Sequence, residues 1–232
     1  MYRTLLLVVD DRGAPPSALV AFAAIARCWN VRVEVLHLHA SGEAGRNGAC
    51  RRLEADVVAR LTAAGVPAAG DTRLEEPAGV AVDRAAARCG ADLIAVLAGA
   101  VPDGVGFPRL VVPEPDRRPG PWPARVVVVV PGDACLDAAA RALASGGGEA
   151  VTVHVLGPAE EAERGQELIA AAARGLRQRA VPARGLLLSL DGGPVAQIAG
   201  AAERLDAGLV VAARPAGEEL AERTRRPLLL TP

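Results

Sequence analysis

Short, unbroken apolar runs recur along this chain, separated by longer stretches whose apolar positions fall every third or fourth residue. Leu5 to Val9 is the first such run. A strand that is apolar at every position is buried on both faces, as in a parallel sheet covered by helices. Pro15-Pro16 then opens a predicted helix ending near Trp29-Asn30, since proline is tolerated in a first turn. Val31 to His39 reads as the next strand, and the polar, glycine-rich stretch Ser41 to Gly48 as a loop. A helix from Ala49 to Ala64 is stopped by Gly65-Val66-Pro67. Ala68 to Leu74 is a third strand, Val80 to Cys89 a helix closed by Gly90, Asp92 to Leu97 a fourth strand and Arg109 to Val112 a short fifth. The order then repeats. Strands are predicted at 125–130, 150–155, 184–190, 208–212 and 227–231, with helices at 134–144, 159–179, 194–205 and 217–225. Strands alternating with helices of this length make βαβ units with right-handed crossovers.

The repeat can be checked residue by residue. Leu5 to Val9 matches Val126 to Val130, and Val35-Leu36-His37-Leu38 matches Val153-His154-Val155. Gly65-Val66-Pro67 matches Ala180-Val181-Pro182, and Ala91-Asp92-Leu93-Ile94 matches Ala207-Gly208-Leu209-Val210. A period this long means two structural units in one chain. Five prolines between residues 113 and 123 make a stiff, extended connection. The expected organisation is a first domain at 1–113, a proline-rich linker at 114–123 and a second domain at 124–232. Each is an α/β, Rossmann-like domain with a five-stranded, mostly parallel sheet and helices on both faces.

Composition narrows the chemistry. Two Trp, one Tyr and two Phe leave the core to aliphatic side chains. All 26 basic residues are arginine, the bias of a GC-rich genome. Without lysine there is no Schiff-base lysine, no lysine general base and no P-loop lysine. The net charge of −1, with acids and bases intermixed, argues against nucleic acid or an anionic membrane as partner. Cysteines at 28, 50, 89 and 135 are too far apart for a C-x-x-C motif, and Cys28 and Cys89 are expected as buried free thiols. Leu5 to Val9 runs straight into Asp10-Asp11, which does not read as a leader, and no apolar run has transmembrane length. The expectation is a soluble cytoplasmic protein.

Several features carry a resemblance together. The opening strand ends in an acidic turn (LLLVVDD), and the second strands read VLHL and VTVHVL. GGPVAQIAGAAERLDAGLVVAA leads through a helix into a strand, and the closing strand follows RPLLL. In that order, twice over, the chain resembles a tandem universal stress protein, over nearly its whole length. The resemblance implies the adenine-nucleotide-hydrolase-like form of the Rossmann fold. It also implies an internal pseudo-dimer in which the two closing strands pair, with further homodimerisation open.

Many members of that family bind ATP on a loop after the fourth strand, G-x2-G-x9-G-[ST] and then a helix. Glycines let backbone N–H groups close on phosphate, and the helix N-terminus adds partial positive charge. Here the first half offers Gly99, Gly104 and Gly106 at the wrong spacing, with strand five following almost at once. The second half keeps only Gly217, beside Glu218 and Glu219, which would repel a triphosphate. Asp10 and Asp11 stand where the resemblance places a ribose- or adenine-contacting acid, and read first as a solvated strand-end turn. Asp133 is a helix cap or a ligand. His37 and His39 share a strand face but lack companions for a metal. Ser145-Gly146-Gly147-Gly148 follows a helix and reads as a turn.

The candidate nucleotide crevice is therefore Asp10, Asp11, Gly99, Gly104 and Gly106, in vestigial form, with no catalytic residue and no metal site. The reading is a non-catalytic stress-response protein without a cofactor, acting through an unidentified protein partner. Two alternatives stand beside it: an adenine nucleotide still bound by the first domain, and an enzyme of the wider adenine-nucleotide-binding α/β group.

Overall fold

The computed structural model describes residues 1–38, 47–73, 78–97, 106–114, 125–130, 133–144, 147–157, 162–189, 193–214 and 216–232, apart from the side chains of 47–50 and 71–73. The chain divides into two compact units, Tyr2–Arg118 and Pro119–Pro232.

The first unit runs β1 (Thr4–Val9), α1 (Pro16–Trp29), β2 (Arg32–Leu38), α2 (Asn47–Ala63), β3 (Ala68–Arg73), α3 (Ala78–Cys89), β4 (Leu93–Leu97) and β5 (Arg109–Val112). Its strands lie in the order β3-β2-β1-β4-β5, and the pairs are parallel. Thr4 to Val9 registers with Arg32 to His37 on one side, and Leu5 to Val8 with Leu93 to Val96 on the other. The apolar run of β1 is buried on both faces, as its composition requires. Leu6 and Val8 join Leu36, Ile94 and Val96 beneath Val82, Ala85 and Ala86 of α3. Leu5, Leu7, Val33 and Val35, one residue out of step, are fully buried on the opposite face. There α1 approaches β4 and β5 while α2 lies along β2 and β3. Tyr2 and Trp29, two of the few aromatics, are both buried with ring centroids 5.1 Å apart.

The second unit runs β6 (Arg125–Val129), α4 (Asp133–Leu143), β7 (Glu149–Val155), α5 (Ala162–Gln178), β8 (Ala183–Leu188), α6 (Pro194–Arg204), β9 (Leu209–Ala213), α7 (Ala216–Ala221) and β10 (Leu228–Thr231). Its order is β10-β9-β6-β7-β8, again parallel. The switch in strand order falls at β6 as it does at β1.

The repeat extends to the helix ends. Gly65 ends α2 at φ +78°, its N–H bonded to the Thr62 carbonyl at 2.9 Å, with Val66 N–H on Leu61 at 2.9 Å. Ala180 ends α5 the same way at φ +59°, bonded to Arg177, with Val181 on Leu176, both at 3.0 Å. Gly90 after α3 (φ +64°) has its counterpart in Asp206 after α6 (φ +48°).

One expected element is shorter than its sequence pattern. The helix predicted over 217–225 ends at Ala221, so Arg223, Arg225 and Arg226 follow it and do not complement its dipole. Two causes are visible. The residue before Pro227 is disfavoured in helical backbone. Arg226 is also drawn onto Glu203 of α6 through Nε (3.1 Å) and Nη2 (2.8 Å), with Asp206 3.0 Å from its Nη1.

Candidate functional site

Parallel strands place all their carboxyl ends together, and the crevice beside the order switch is where open α/β sheets receive ligands. In the first unit that end carries the turn after β1, the last residues of β2 and the residues that follow β5.

Asp10 terminates β1 and is engaged locally. Its Oδ1 accepts the Arg12 backbone N–H at 2.9 Å, and its Oδ2 accepts Nε at 3.0 Å and Nη2 at 2.8 Å of the same arginine. Its carbonyl accepts the Gly13 N–H at 2.9 Å, closing a tight turn. Gly13 has φ +78°, and a Cβ there would press on Leu53 Cδ1 of α2 at 3.2 Å, so the turn needs glycine for both torsion and space. The hydrogen bond to Asp10 raises the Arg12 pKa further above its ordinary value, with charge attraction adding to it.

Asp11 points the other way. Its Oδ1 lies 3.2 Å from Nε2 of His37, whose side chain is 1% exposed. His37 sits beside Val9 in the β1–β2 register, on the same face as Val33 and Val35. The contact has the distance of an ion pair. The β1–α1 loop is thus tied to the buried histidine of β2.

The start of α1 is also occupied. Pro15 precedes the helix and Pro16 is its first residue, and neither brings an N–H. Ser17 Oγ donates to Glu114 Oε1 at 2.9 Å, two residues beyond β5. A helix N-terminus attracts anions through open backbone N–H groups; this one has a proline in its first position and a carboxylate beside it. Among the described residues, this end of the sheet carries Asp10, Asp11 and Glu114, with Arg12 committed to Asp10.

Of the candidate glycines, Gly99 and Gly104 lie outside the described residues. Gly106 stands three residues before β5, in open space and without positive φ. In the second unit Asp133 is the first residue of α4, with its side chain exposed. Glu218 and Glu219 occupy the first turn of α7. Gly217 is buried, and a Cβ on it would overlap the Leu230 side chain of β10, so close packing of α7 onto its own sheet accounts for that glycine.

No group of three His, Cys, Asp or Glu side chains able to hold a metal occurs among the described residues. Nor is any described helix long and apolar enough to cross a membrane. Cys28, Cys89 and Cys135 are free thiols. Cys28 and Cys89 are half-buried where full burial was expected, because each lies in the last turn of its helix, at the margin of the core. Burial raises all three thiol pKa values.

Solved structures share this arrangement. A universal stress protein from Archaeoglobus fulgidus DSM 4304 superposes with a TM-score of 0.74 at 13% identity, covering 97% of this chain and 95% of that one. The fold is that of a tandem universal stress protein. A Pseudomonas aeruginosa UCBPP-PA14 protein placed in the same group superposes at 0.63 with 14% identity, over 99% of this chain and 92% of that one. The universal stress protein fold is not confined to that setting. The cytoplasmic domain of a prokaryotic cation chloride cotransporter matches at 0.55 with 10% identity, over 99% of this chain and 95% of that one. No family model matches the chain, and no curated protein matches it.

Proposed function

We propose that this protein is a non-catalytic regulatory member of the universal stress type, acting through contacts with a protein partner and not through a bound nucleotide. One observation carries the reading: the acids at the carboxyl end of the first sheet are engaged within the chain. Asp10 is held by Arg12, Asp11 lies on His37, and Glu114 accepts from Ser17 at the head of α1. A polyphosphate approaching there meets carboxylates, and the proline-headed helix offers it few donors. The second unit supports the same reading, because Glu218 and Glu219 stand at the head of α7 and Gly217 serves packing.

The test is direct. The purified chain is denatured and its supernatant read at 260 nm for nucleotide, and the native chain is titrated with ATP, AMP and adenosine by calorimetry. No released nucleotide and no heat of binding are expected. Micromolar ATP binding would overturn the proposal. Binding of adenosine or AMP, but not ATP, would instead establish the nucleotide-responsive alternative in the first domain.

A further inference from the structure

β8 is the last strand on its side of the second sheet, and its hydrogen bonds show which way its backbone faces. The Pro182 carbonyl accepts from the Ala150 N–H at 2.8 Å, and the Leu188 carbonyl from the Leu156 N–H at 3.0 Å. The even-numbered residues between them therefore address β7, while Ala183, Gly185 and Leu187 turn their N–H and C=O groups outward. Arg177 of α5 covers the first of these, donating from Nη1 to the Ala183 carbonyl at 2.7 Å. The backbone groups of Gly185, which is exposed, and Leu187, which is half-buried, form the rest of the edge. Such edges are commonly guarded by proline, by a bulge or by outward charge. β8 registers with β7 without a break from Ala183 to Leu188. Its one charged residue, Arg184, leans back toward Glu149 of β7 at 3.6 Å.

The edge is its own complement. Gly185 and Leu187 flank Leu186 evenly. In an antiparallel pair centred on Leu186, each Gly185 exchanges both backbone hydrogen bonds with Leu187 of the other strand. Side chains then sort by face. Gly185 lies under Ile169, and the Leu187 side chain lies against Gly165, both of α5. Leu186 points to the opposite face, where α6 lies over β7 and Leu186 stays half-buried. The flank of α5 nearest the edge is small and uncharged. Gln166 and Ala170, both exposed, precede Arg177 by eleven and seven residues and so share its side of the helix. A second helix can close on such a flank to about 8–10 Å. A bare extended peptide would cover the strand and leave the helix flank and Leu186 open. A second copy covers all three. A strand of 6 residues alone is small beside the about 1,200 Å² of a stable interface, and the helix flank enlarges it.

We propose that β8 is a self-association edge. It pairs antiparallel with β8 of a second copy about a two-fold axis through Leu186, with the two α5 helices side by side on one face. The contact uses the same patch on both copies, so it closes at a dimer. It lies wholly within the second unit and does not depend on the function proposed above.

The experiment uses the full chain. Sedimentation velocity from micromolar to submillimolar concentration should show a reversible monomer–dimer equilibrium. Leu186→Asp sets two carboxylates opposite each other at the axis and should weaken the dimer by about tenfold or more; circular dichroism checks that this variant is folded. A cysteine pair provides an independent reading. Residues facing each other across the axis have Cα atoms about 4.5 Å apart, within disulfide reach. Under mild oxidation Leu186→Cys should therefore cross-link into a covalent dimer beyond the wild-type background. Arg184→Cys should not, because Arg184 faces Leu188 of the second copy. A wild-type chain that stays monomeric throughout would overturn the proposal. So would a dimer that persists undiminished in folded Leu186→Asp, or cross-linking of Leu186→Cys no greater than that of Arg184→Cys.

Discussion

Gly65 and Ala180 end matching helices with the same hydrogen-bond pattern in the same left-handed backbone, yet only one of them is glycine. They form an internal control for torsional strain. A Cβ added at Gly65 would meet only Arg27 Cδ, at 3.7 Å, an ordinary contact. The cost of Gly65→Ala is therefore torsional, about 1–2 kcal/mol for a non-glycine residue in the left-handed region. Reduced freedom of the unfolded chain offsets about 0.4–1 kcal/mol of it. The net expectation is destabilisation by about 0.5–1 kcal/mol. Ala180→Gly runs the same terms in reverse and should stabilise by a similar amount, Ala180 being exposed. Urea unfolding of the full chain measures both. At a slope of about 2 kcal/mol/M, the midpoints should move in opposite directions by about 0.3 M. Should the two units unfold in separate steps, each variant should move only the step of its own unit. Shifts of the same sign, or destabilisation by Ala180→Gly, would refute the reasoning.

Gly217→Ala places a methyl group into Leu230, so a loss of about 1–3 kcal/mol is expected in thermal unfolding; an unchanged midpoint would remove the packing explanation for that glycine. Cys135 is buried, with Sγ 3.3 Å from Thr231 Oγ1, so a thiol reagent should label it only on unfolding, with Cys28 and Cys89 reacting first. Because burial raises the folded-state pKa of Cys135 above its ordinary 9.0, its contribution to stability is present below pH 9 and is lost as pH rises beyond it; Cys135→Ala should flatten that alkaline decline in denaturant midpoints. Arg226→Ala removes contacts to Glu203 and Asp206 at a half-buried site and should cost about 1 kcal/mol, less in high salt; equal costs at low and high salt would argue against an electrostatic origin.

The fold was legible because its signals are local and occur twice. Leu5 to Val9 and Val126 to Val130 are apolar at every position, which only a strand covered on both faces explains, and the β5 bounds follow directly from Arg109 to Val112. The features without a local signal arise between elements. The short α7 reflects Glu203 reaching Arg226 from α6, and the need for Gly217 comes from Leu230, neither of which is a neighbour in sequence. The Asp11–His37 contact does have a readable signal. His37 continues the buried alternation of Val33 and Val35, and a buried imidazole calls for a polar partner at the adjoining strand end.

The engaged acids of the first crevice bear on how such a protein could be read out in a cell. Where a loop stays loose until a metabolite settles it, mass action makes the amount of folded protein track that metabolite's concentration. A loop already fastened by Arg12 and His37 gives up that coupling. On the function proposed above, its persistence is then indifferent to the energy state of its surroundings, and a signal enters through the quantity of chain made or through the surfaces it presents.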